Sequence, residues 1–416
     1  MKYKSKRFLH VWEDILQIWF SGYLEIVSRE RREQISPISI KDKCIVIFKE
    51  FIKEFIKLFI KNRIPKNKIW CFSISSNNYE SLKSIKANLD DSIFVHPFSF
   101  NDRHQNSYPI NFSRKFLYSL WFPFNFLIFY FQSKSGSNGL YDLFFKANGI
   151  YSESLRLIKK SKPKAIIFAN DHEIIPRGLL LAAKNLNVPI IYIQHASVSN
   201  YFPVLDFDYA LLEGKDAKDK YLNIGNTSTC IYLVGMPKFD KYLERVNRNT
   251  LVKVIGIAYN AMDNLELIKR TVIVLQNYFP DIELIVRAHP SDKRSLNLDS
   301  VKKSIPQKES VFDFLSRIDL LIAAESSIHL EAIMLNVYSI SYSFSNSKFL
   351  DYYGFVKNNL VKHYLNLDDI IEEINSIGNN KPNVQKKAEY YNAALNSDFY
   401  GKSSEKIRDI IKSKIL

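Results

Sequence analysis

From about residue 150 the chain repeats one pattern, in which short apolar, β-branched runs are separated by stretches of helical period. The first runs are Ala165–Phe168, Pro189–Ile193, Tyr209–Leu212 and Cys230–Val234, with a helical stretch at Arg177–Asn187. Gly235-Met236-Pro237 and the charged stretch Lys238–Asn249 interrupt the pattern, which then restarts. Strand Val252–Ala258, helix Asn264–Tyr278, strand Ile282–Val286, helix Ser310–Arg317, strand Leu320–Ala324, helix Ile328–Leu335 and strand Tyr338–Tyr342 follow. Strands that alternate with helices run parallel, because each crossover helix returns the chain to the starting edge of the sheet. The reading is therefore α/β, with two Rossmann-like halves in tandem and the earlier run Ile69–Ser73 belonging to the first. A length of 416 residues agrees, since domains of roughly 150 to 200 residues are the usual unit.

Two polar motifs sit where such sheets bind ligands, at the carboxyl ends of strands. Arg287-Ala288-His289-Pro290 follows the run ending at Val286, and Glu325-Ser326-Ser327-Ile328-His329-Leu330-Glu331-Ala332 follows the run ending at Ala324. A cation, a histidine and paired hydroxyls ahead of a helix suit a phosphate-bearing ligand. His289, fixed before Pro290 and beside Arg287, is the candidate for phosphate binding or acid catalysis. Glu331 lies one helical turn beyond Ser327 and suits the ribose hydroxyls of a nucleotide, although serines here also suit simple capping. His329 has the option of merely packing.

In the first half, Asn170-Asp171-His172-Glu173 follows the run ending at Phe168, and Gln194-His195 ends the run Ile190–Ile193. A carboxylate at Asp171 suits proton removal from an incoming hydroxyl, and equally suits an N-cap. Asp206-Phe207-Asp208 has the DxD spacing of metal-dependent sugar transferases but precedes its strand, which favours a loop role and no metal. Gly401-Lys402-Ser403 looks like the end of a P-loop, yet Asn396 occupies the position of the first glycine, and no GxGxxG occurs. A dehydrogenase is thereby disfavoured, and no cofactor is expected.

Lys and Arg number 58 against 43 Asp and Glu, a net charge of +15, which favours an anionic partner. Dispersed lysines and the lack of a recognised module argue against nucleic acid. Three cysteines, Cys44, Cys71 and Cys230, without a CxxC pair fit neither a disulfide framework nor zinc, and fit a reducing cytosol. Met1–Arg7 leads into a segment broken by Glu13 and Asp14, which does not read as a signal peptide.

The N-terminal region, residues 1–64, reads as helical and basic. Between Ile45 and Lys61, Phe48, Phe51, Ile52, Phe55, Ile56 and Phe59 share one helical face, opposite Lys49, Glu50, Lys53, Glu54, Lys57 and Lys61. That face either packs on its own domain or lies in the plane of an anionic membrane. Phe116–Phe131, inside an aromatic insertion at 112–140, is shorter than the ~20 apolar residues of a spanning helix and is interrupted by Pro123, so a buried or interfacial helix is expected. Ser133–Gly139 reads as a loop.

Taken together, the motifs resemble the GT-B glycosyltransferases of bacterial surface polysaccharide synthesis: capsule-type, sialyl- and Kdo-type transferases, and the CDP-glycerol glycerophosphotransferases. Ile190-Ile191-Tyr192-Ile193-Gln194-His195, Gly235-Met236-Pro237-Lys238-Phe239-Asp240, Arg287-Ala288-His289-Pro290, and Ser326-Ser327 with Glu331-Ala332 carry the resemblance. It departs at Ala196, where capsule enzymes often have glycine, and at Asp171-His172-Glu173, where sialyltransferases have an acidic pair followed by glycine. The resemblance implies two domains facing across a cleft: an acceptor domain at 65–237 and a nucleotide-sugar domain at 238–416. It implies that His289 contacts the donor phosphate and assists its departure, that Ser326 and Ser327 bind the same phosphate while Arg287, Pro290 and Glu331 complete the nucleotide site, that Asp171 is the acceptor base, and that His172, Gln194 and His195 line the acceptor side or the cleft. The expected activity is inverting, metal-independent transfer from a CMP- or CDP-linked sugar to a glycan or lipid-linked acceptor. The enzyme would sit in the cytoplasm, peripherally on the anionic inner face of the membrane. A CDP-glycerol-type glycerophosphotransferase, a sugar-nucleotide epimerase and a basic nucleic-acid-binding protein are the alternatives.

Overall fold

The computed structural model describes residues 14–20, 23–26, 29–97, 107–124, 127, 139–294, 296, 298, 301–345 and 349–415. The chain forms two compact units. Unit 1 takes the residues up to Leu212, Ala217–Leu233 and those from Ser404 on, while unit 2 takes Glu213–Asp216 and Val234–Ser403.

Unit 1 is built on β1 (Ile69–Phe72), β2 (Ser92–Pro97), β3 (Ser107–Ile110), β4 (Ala165–Phe168), β5 (Ile190–Ile193), β6 (Tyr209–Leu212) and β7 (Cys230–Leu233). They run parallel in the order β3-β2-β1-β4-β5-β6-β7. The four residues of each of β1, β4 and β5 are all buried, because helices cover both faces of the sheet. Unit 2 has β8 (Val254–Tyr259), β9 (Glu283–Ala288), β10 (Lys302–Ser304), β11 (Leu320–Ala323), β12 (Tyr338–Tyr342) and β13 (Lys362–Tyr364), parallel in the order β10-β9-β8-β11-β12-β13. In each sheet the order reverses once, between β1 and β4 and between β8 and β11. Such switch points are where doubly wound sheets leave a crevice at their carboxyl edge.

The strand read at Ile69–Ser73 and the strands and helices read from residue 150 onward recur within three residues of the expected ends, whereas the helix read between Ile45 and Lys61 begins five residues earlier, at Ile40. Boundaries follow local capping. Helix Val311–Leu315 begins at a capping box, in which the Ser310 hydroxyl accepts from the Asp313 N–H at 3.1 Å and the Asp313 carboxylate accepts from the Ser310 N–H at 3.1 Å. The edge strands β3, β10 and β13 escape a hydrophobic-pattern reading because each pairs on one side only and leaves side chains exposed.

Two expected domain limits differ from the structure. The segment from Ser404 groups with unit 1 and not with 238–403: Ser404 Oγ lies 3.1 Å from Ser84 Oγ, and Lys412 lies 3.8 Å from Asp90. Amphipathicity of a terminal helix does not specify which sheet it covers. Residues 1–64 are not separate either, since Ile15, Leu16 and Leu24 belong to the unit 1 core and Arg177 Nε donates to the Asp14 carbonyl at 3.1 Å.

Helix α1 (Ile40–Phe55) continues into a 3-10 turn at Ile56–Phe59 and is turned opposite to a core helix. Lys115, itself buried, donates to Glu50 at 2.7 Å and to Glu54 at 3.1 Å, while Lys43 is buried against Ser36 and Asp142. Glu50, Glu54 and Lys57 of the charged face thus turn toward the protein, while Lys49, Lys53 and Lys61 stay exposed. Phe48, Ile52, Phe55, Ile56 and Phe59 are 48–80% exposed, and only Phe51 of the aromatic face turns to the protein, with its ring 5.2 Å from Phe116. Leu117, Trp121, Phe124 and Leu127 are also exposed. The rest of the aromatic segment, and 133–138 of the expected loop, lie outside the described residues. Among the described residues, no helix is long and apolar enough to cross a membrane.

Gly235, at the start of the Gly-Met-Pro turn, has φ +76°, and a Cβ there would lie 2.5 Å from Ala394 Cβ and 2.5 Å from Ser403 Oγ. Gly139 has φ +71° with nothing within 4 Å. Gly235→Ala should therefore cost the strain of a positive φ plus overpacking, roughly 2–4 kcal/mol, against about 1 kcal/mol for Gly139→Ala. Thermal unfolding of the two variants checks this, and equal losses would contradict it.

Candidate active site

In unit 1, β4 delivers Asn170, Asp171 and His172 to the carboxyl edge beside the switch point. Asn170, not Asp171, performs the local capping, since its side-chain oxygen accepts from the N–H groups of His172 and Glu173, each at 3.1 Å. Asp171 is thereby left for other partners. Its carboxylate is 1% exposed, with Oδ2 accepting from the Tyr221 hydroxyl and Oδ1 lying 3.1 Å from His172 Nδ1. Tyr221 Oη is 3.3 Å from Tyr192 Oη. Burial, reinforced by the Asp171 charge, pushes the Tyr221 phenol well above its ordinary range, so it keeps its proton and donates it.

The His172 ring lies beside Phe202, at 4.5 Å between ring centroids, and beside His195, nearly parallel at 6.3 Å. The structure thus brings Asp171, His172 and His195 together. Gln194 is buried, and its amide donates to the Ala196 carbonyl at 3.0 Å, which shapes the turn after β5.

In unit 2, β9 ends in the Arg-Ala-His-Pro motif, with His289 and Pro290 exposed and Arg287 buried. Arg287 is committed to the fold: it donates to Ser304 on β10 and to the Glu309 carbonyl at 3.2 Å, and stacks over Phe314 at 5.5 Å. His289 Nδ1 is satisfied by Ser291, whose hydroxyl lies at 2.7 Å and whose backbone N–H donates at 3.2 Å. An Nδ1 that accepts leaves the proton of the neutral ring on Nε2, directed away from the chain as a donor. Partial burial pulls the imidazole below its ordinary pKa, opposed by the Asp292 carboxylate and assisted by the Arg287 charge.

After β11, Ser326 Oγ accepts from the Ile328 N–H at 3.4 Å, whereas Ser327, the cap residue of helix Ile328–Met334, makes no side-chain capping bond. Its hydroxyl is therefore not spent on the helix. His329 is structural: both ring nitrogens are occupied, by Ser339 at 2.7 Å and by the Ala324 carbonyl at 2.9 Å, and burial drives its pKa down to about 4.

Glu331 accepts from Lys238 Nζ at 2.7 Å, which ties the helix to the lysine of the Gly-Met-Pro-Lys turn. Glu213, just past the end of β6, completes this group. Burial pushes its carboxyl up to about 7, with Lys238 opposing and Glu331 and Asp216 adding to the rise. Sequence reasoning missed Glu213 and the role of Lys238. The available signal was an acidic residue immediately after an apolar strand run.

The DxD pair is engaged at the amino edge of the sheet, where Asp206 pairs with Lys184 and Asp208 accepts from the Ile190 N–H at 2.8 Å. Among the described residues, no group of three His, Cys, Asp or Glu side chains is placed to hold a metal ion. The P-loop-like Gly401-Lys402-Ser403 carries an acid where phosphate would have to bind, since the Ser403 N–H donates to Asp240 Oδ1 at 3.1 Å.

The chain matches no family model and no curated protein sequence. Its fold is shared with solved structures. A putative UDP-N-acetylglucosamine 2-epimerase from Listeria monocytogenes is similar with TM-score 0.54 and 14% identity, over 84% of this chain and 96% of that one. The UDP-GlcNAc 2-epimerase from Neisseria meningitidis bound to UDP-GlcNAc gives 0.51 and 15%, over 83% and 99%. The wall teichoic acid polymerase TagF, soaked with CDPG, gives 0.54 and 12%, over 93% and 98%. These likenesses establish a GT-B-like α/β fold with two parallel Rossmann-like sheets, of seven and six strands.

Proposed function

We propose that the protein is an inverting, metal-independent glycosyltransferase. It moves a sugar from a nucleotide-activated donor, CMP- or CDP-linked in preference, to a surface polysaccharide or lipid-linked glycan. The observation that carries the reading is that the carboxyl edge of unit 2 carries two donors with no partner among the described residues, the His289 Nε2–H and the Ser327 hydroxyl, with Glu331 one helical turn beyond Ser327. His289 and the Ser326-Ser327 hydroxyls bind the donor phosphate, and Glu331 takes the ribose hydroxyls. Arg287 acts through its charge and by fixing the end of β9, and Pro290 limits the backbone after His289. As the bond to the leaving phosphate breaks, charge grows on its oxygen and these donors strengthen. In unit 1 the Asp171-His172 pair, with Gln194 and His195 shaping its surroundings, activates the acceptor hydroxyl.

The structural neighbours include epimerases as well as a polymerase, so a sugar-nucleotide epimerase is the second reading. The exposed aromatic face of α1 favours the transferase, since a lipid-linked acceptor resides at a membrane and an epimerase needs no such face. Incubation with CMP-, CDP-, UDP- and GDP-linked donors, with and without lipid-linked acceptor, separates the readings. Transfer appears only with acceptor, epimer appears without it, and a CDP-glycerol-type enzyme transfers glycerol phosphate.

His289→Ala should lower turnover roughly 10²- to 10⁴-fold while the unfolding midpoint stays unchanged. Near-normal turnover at saturating donor would contradict its role. Activity should also persist in excess EDTA; loss in EDTA with recovery on adding magnesium or manganese would return attention to Asp206 and Asp208.

The protein sits peripherally on the cytoplasmic face of the membrane through the open face of α1, where exposed Lys49, Lys53, Lys61 and Arg63 border Phe48, Phe55 and Phe59. Each basic residue near an anionic surface contributes about 1 kcal/mol, so binding weakens as salt rises. Sedimentation with phosphatidylglycerol vesicles should show salt-sensitive binding that is reduced by replacing Phe48, Phe55 and Phe59 with serine. Protein that stays in the supernatant at low salt would overturn the attachment.

A further inference from the structure

Asp171 is the obvious acceptor base by position, but its surroundings withhold it from that task. A carboxylate accepts a proton from a substrate only if one oxygen reaches the substrate. Here the side chain is 1% exposed and both oxygens have partners, Tyr221 on Oδ2 and His172 on Oδ1. His172 is placed differently. Its side chain is 21% exposed, Nδ1 faces the carboxylate, and no described residue gives Nε2 a hydrogen-bond partner.

An ionised carboxylate only accepts, so the proton of the neutral ring lies on Nδ1 and the lone pair on Nε2. That tautomer presents a base to whatever approaches the ring edge. Phe202 on the ring face, at 4.5 Å, and His195, nearly parallel at 6.3 Å, hold the plane of the imidazole. Tyr221 and Tyr192 close the other side of the carboxylate, so the chain Tyr221–Asp171–His172 runs from the core to the carboxyl edge of the sheet.

We infer that His172 takes the proton from the acceptor hydroxyl and that Asp171 is its positioning residue. The inference rests on the transfer reading above. In the step, Nε2 of His172 accepts the hydroxyl proton while an oxygen lone pair forms the bond to the anomeric carbon of the donor. The bond from that carbon to the leaving phosphate oxygen breaks, with its electron pair going to the phosphate. Asp171 stabilises the imidazolium that results and gives up no proton itself. His172 then releases its proton to solvent.

The test has two arms, of which one needs no turnover. In the kinetic arm, His172→Gln should lower kcat roughly 10²- to 10⁴-fold with the donor KM changed less than about threefold. Asp171→Asn should lower kcat similarly, because the amide no longer fixes the tautomer. Near-normal turnover in His172→Gln, together with loss in Asp171→Asn, would overturn the assignment and return the base to Asp171. In the spectroscopic arm, ¹⁵N spectra of histidine-labelled full-length protein report the tautomer of His172, identified by its absence in His172→Gln. The Nδ1–H form is expected in the wild type and should be lost in Asp171→Asn. An Nε2–H ring in the wild type would overturn the inference even if no donor supports transfer, whereas an Nδ1–H ring without turnover would count against the transfer reading alone.

Discussion

Everything that bears on chemistry in this protein depends on strand direction. Because the strands in each sheet are parallel, their carboxyl ends collect on one edge, and a polar residue that follows a strand arrives there by construction. The strands at the centre of unit 1 carry no charged side chain. β4 is Ala-Ile-Ile-Phe and fully buried, and an unpaired charge inside it would carry the cost of desolvation. Asp171, His195, Glu213, His289 and Ser327 each lie within four residues of a strand's last residue, which is the first place the chain tolerates them. Asp171 and Glu331 are tolerated even at low exposure because each has a specific partner, Tyr221 and His172 for one and Lys238 for the other.

That constraint also decides what the sequence reveals. Runs such as Ala165–Phe168 and Leu320–Ala323 are central strands buried on both faces, and their composition announces them. β10, of which two of three residues are exposed lysines, has no such composition, and its pairing with β9 emerges only from the fold. Positions along the carboxyl edge were equally legible, since Arg287, His289, Ser326, Ser327 and Asp171 follow recognisable strands. Which of them keep a free atom was not. Arg287 and His289 are two residues apart, yet Arg287 lies within β9 and is buried over Phe314, whereas His289 lies past the strand's last residue and is exposed. Similarly, Asn170 and Asp171 both suit capping, and only the geometry gives that task to Asn170.

Helix α1 shows the opposite limit of pattern reading. Its amphipathicity defines two faces without saying which one turns inward. The decision rests on residues far along the chain: Lys115 and Lys146 meet Glu50, Lys115 also meets Glu54, and Asp142 meets Lys43. Those pairs hold Lys43, Glu50 and Glu54 against the protein and leave five large apolar side chains open. Burying each would contribute about 1.5–3 kcal/mol, so a face of this size is a substantial driving force toward an apolar phase. The bordering lysines match the anionic surface proposed for that phase.

The fold alone does not choose a reaction, since epimerases and a polymerase share it at similar TM-scores. The phosphate-binding role proposed for the edge of unit 2 would serve any nucleotide-linked substrate. The choice therefore falls to the groups that handle a proton on the other reactant. A neutral imidazole whose tautomer is fixed by a buried carboxylate accepts a proton without leaving a new uncompensated charge, because the carboxylate already faces the imidazolium that forms. Tyr221, held protonated by burial, donates a second hydrogen bond to that carboxylate. An Asp–His–Tyr chain of this kind at a strand end suits the role proposed for it, the activation of a hydroxyl beside an electrophile. That is the physical ground for reading unit 1 as the half that receives the acceptor.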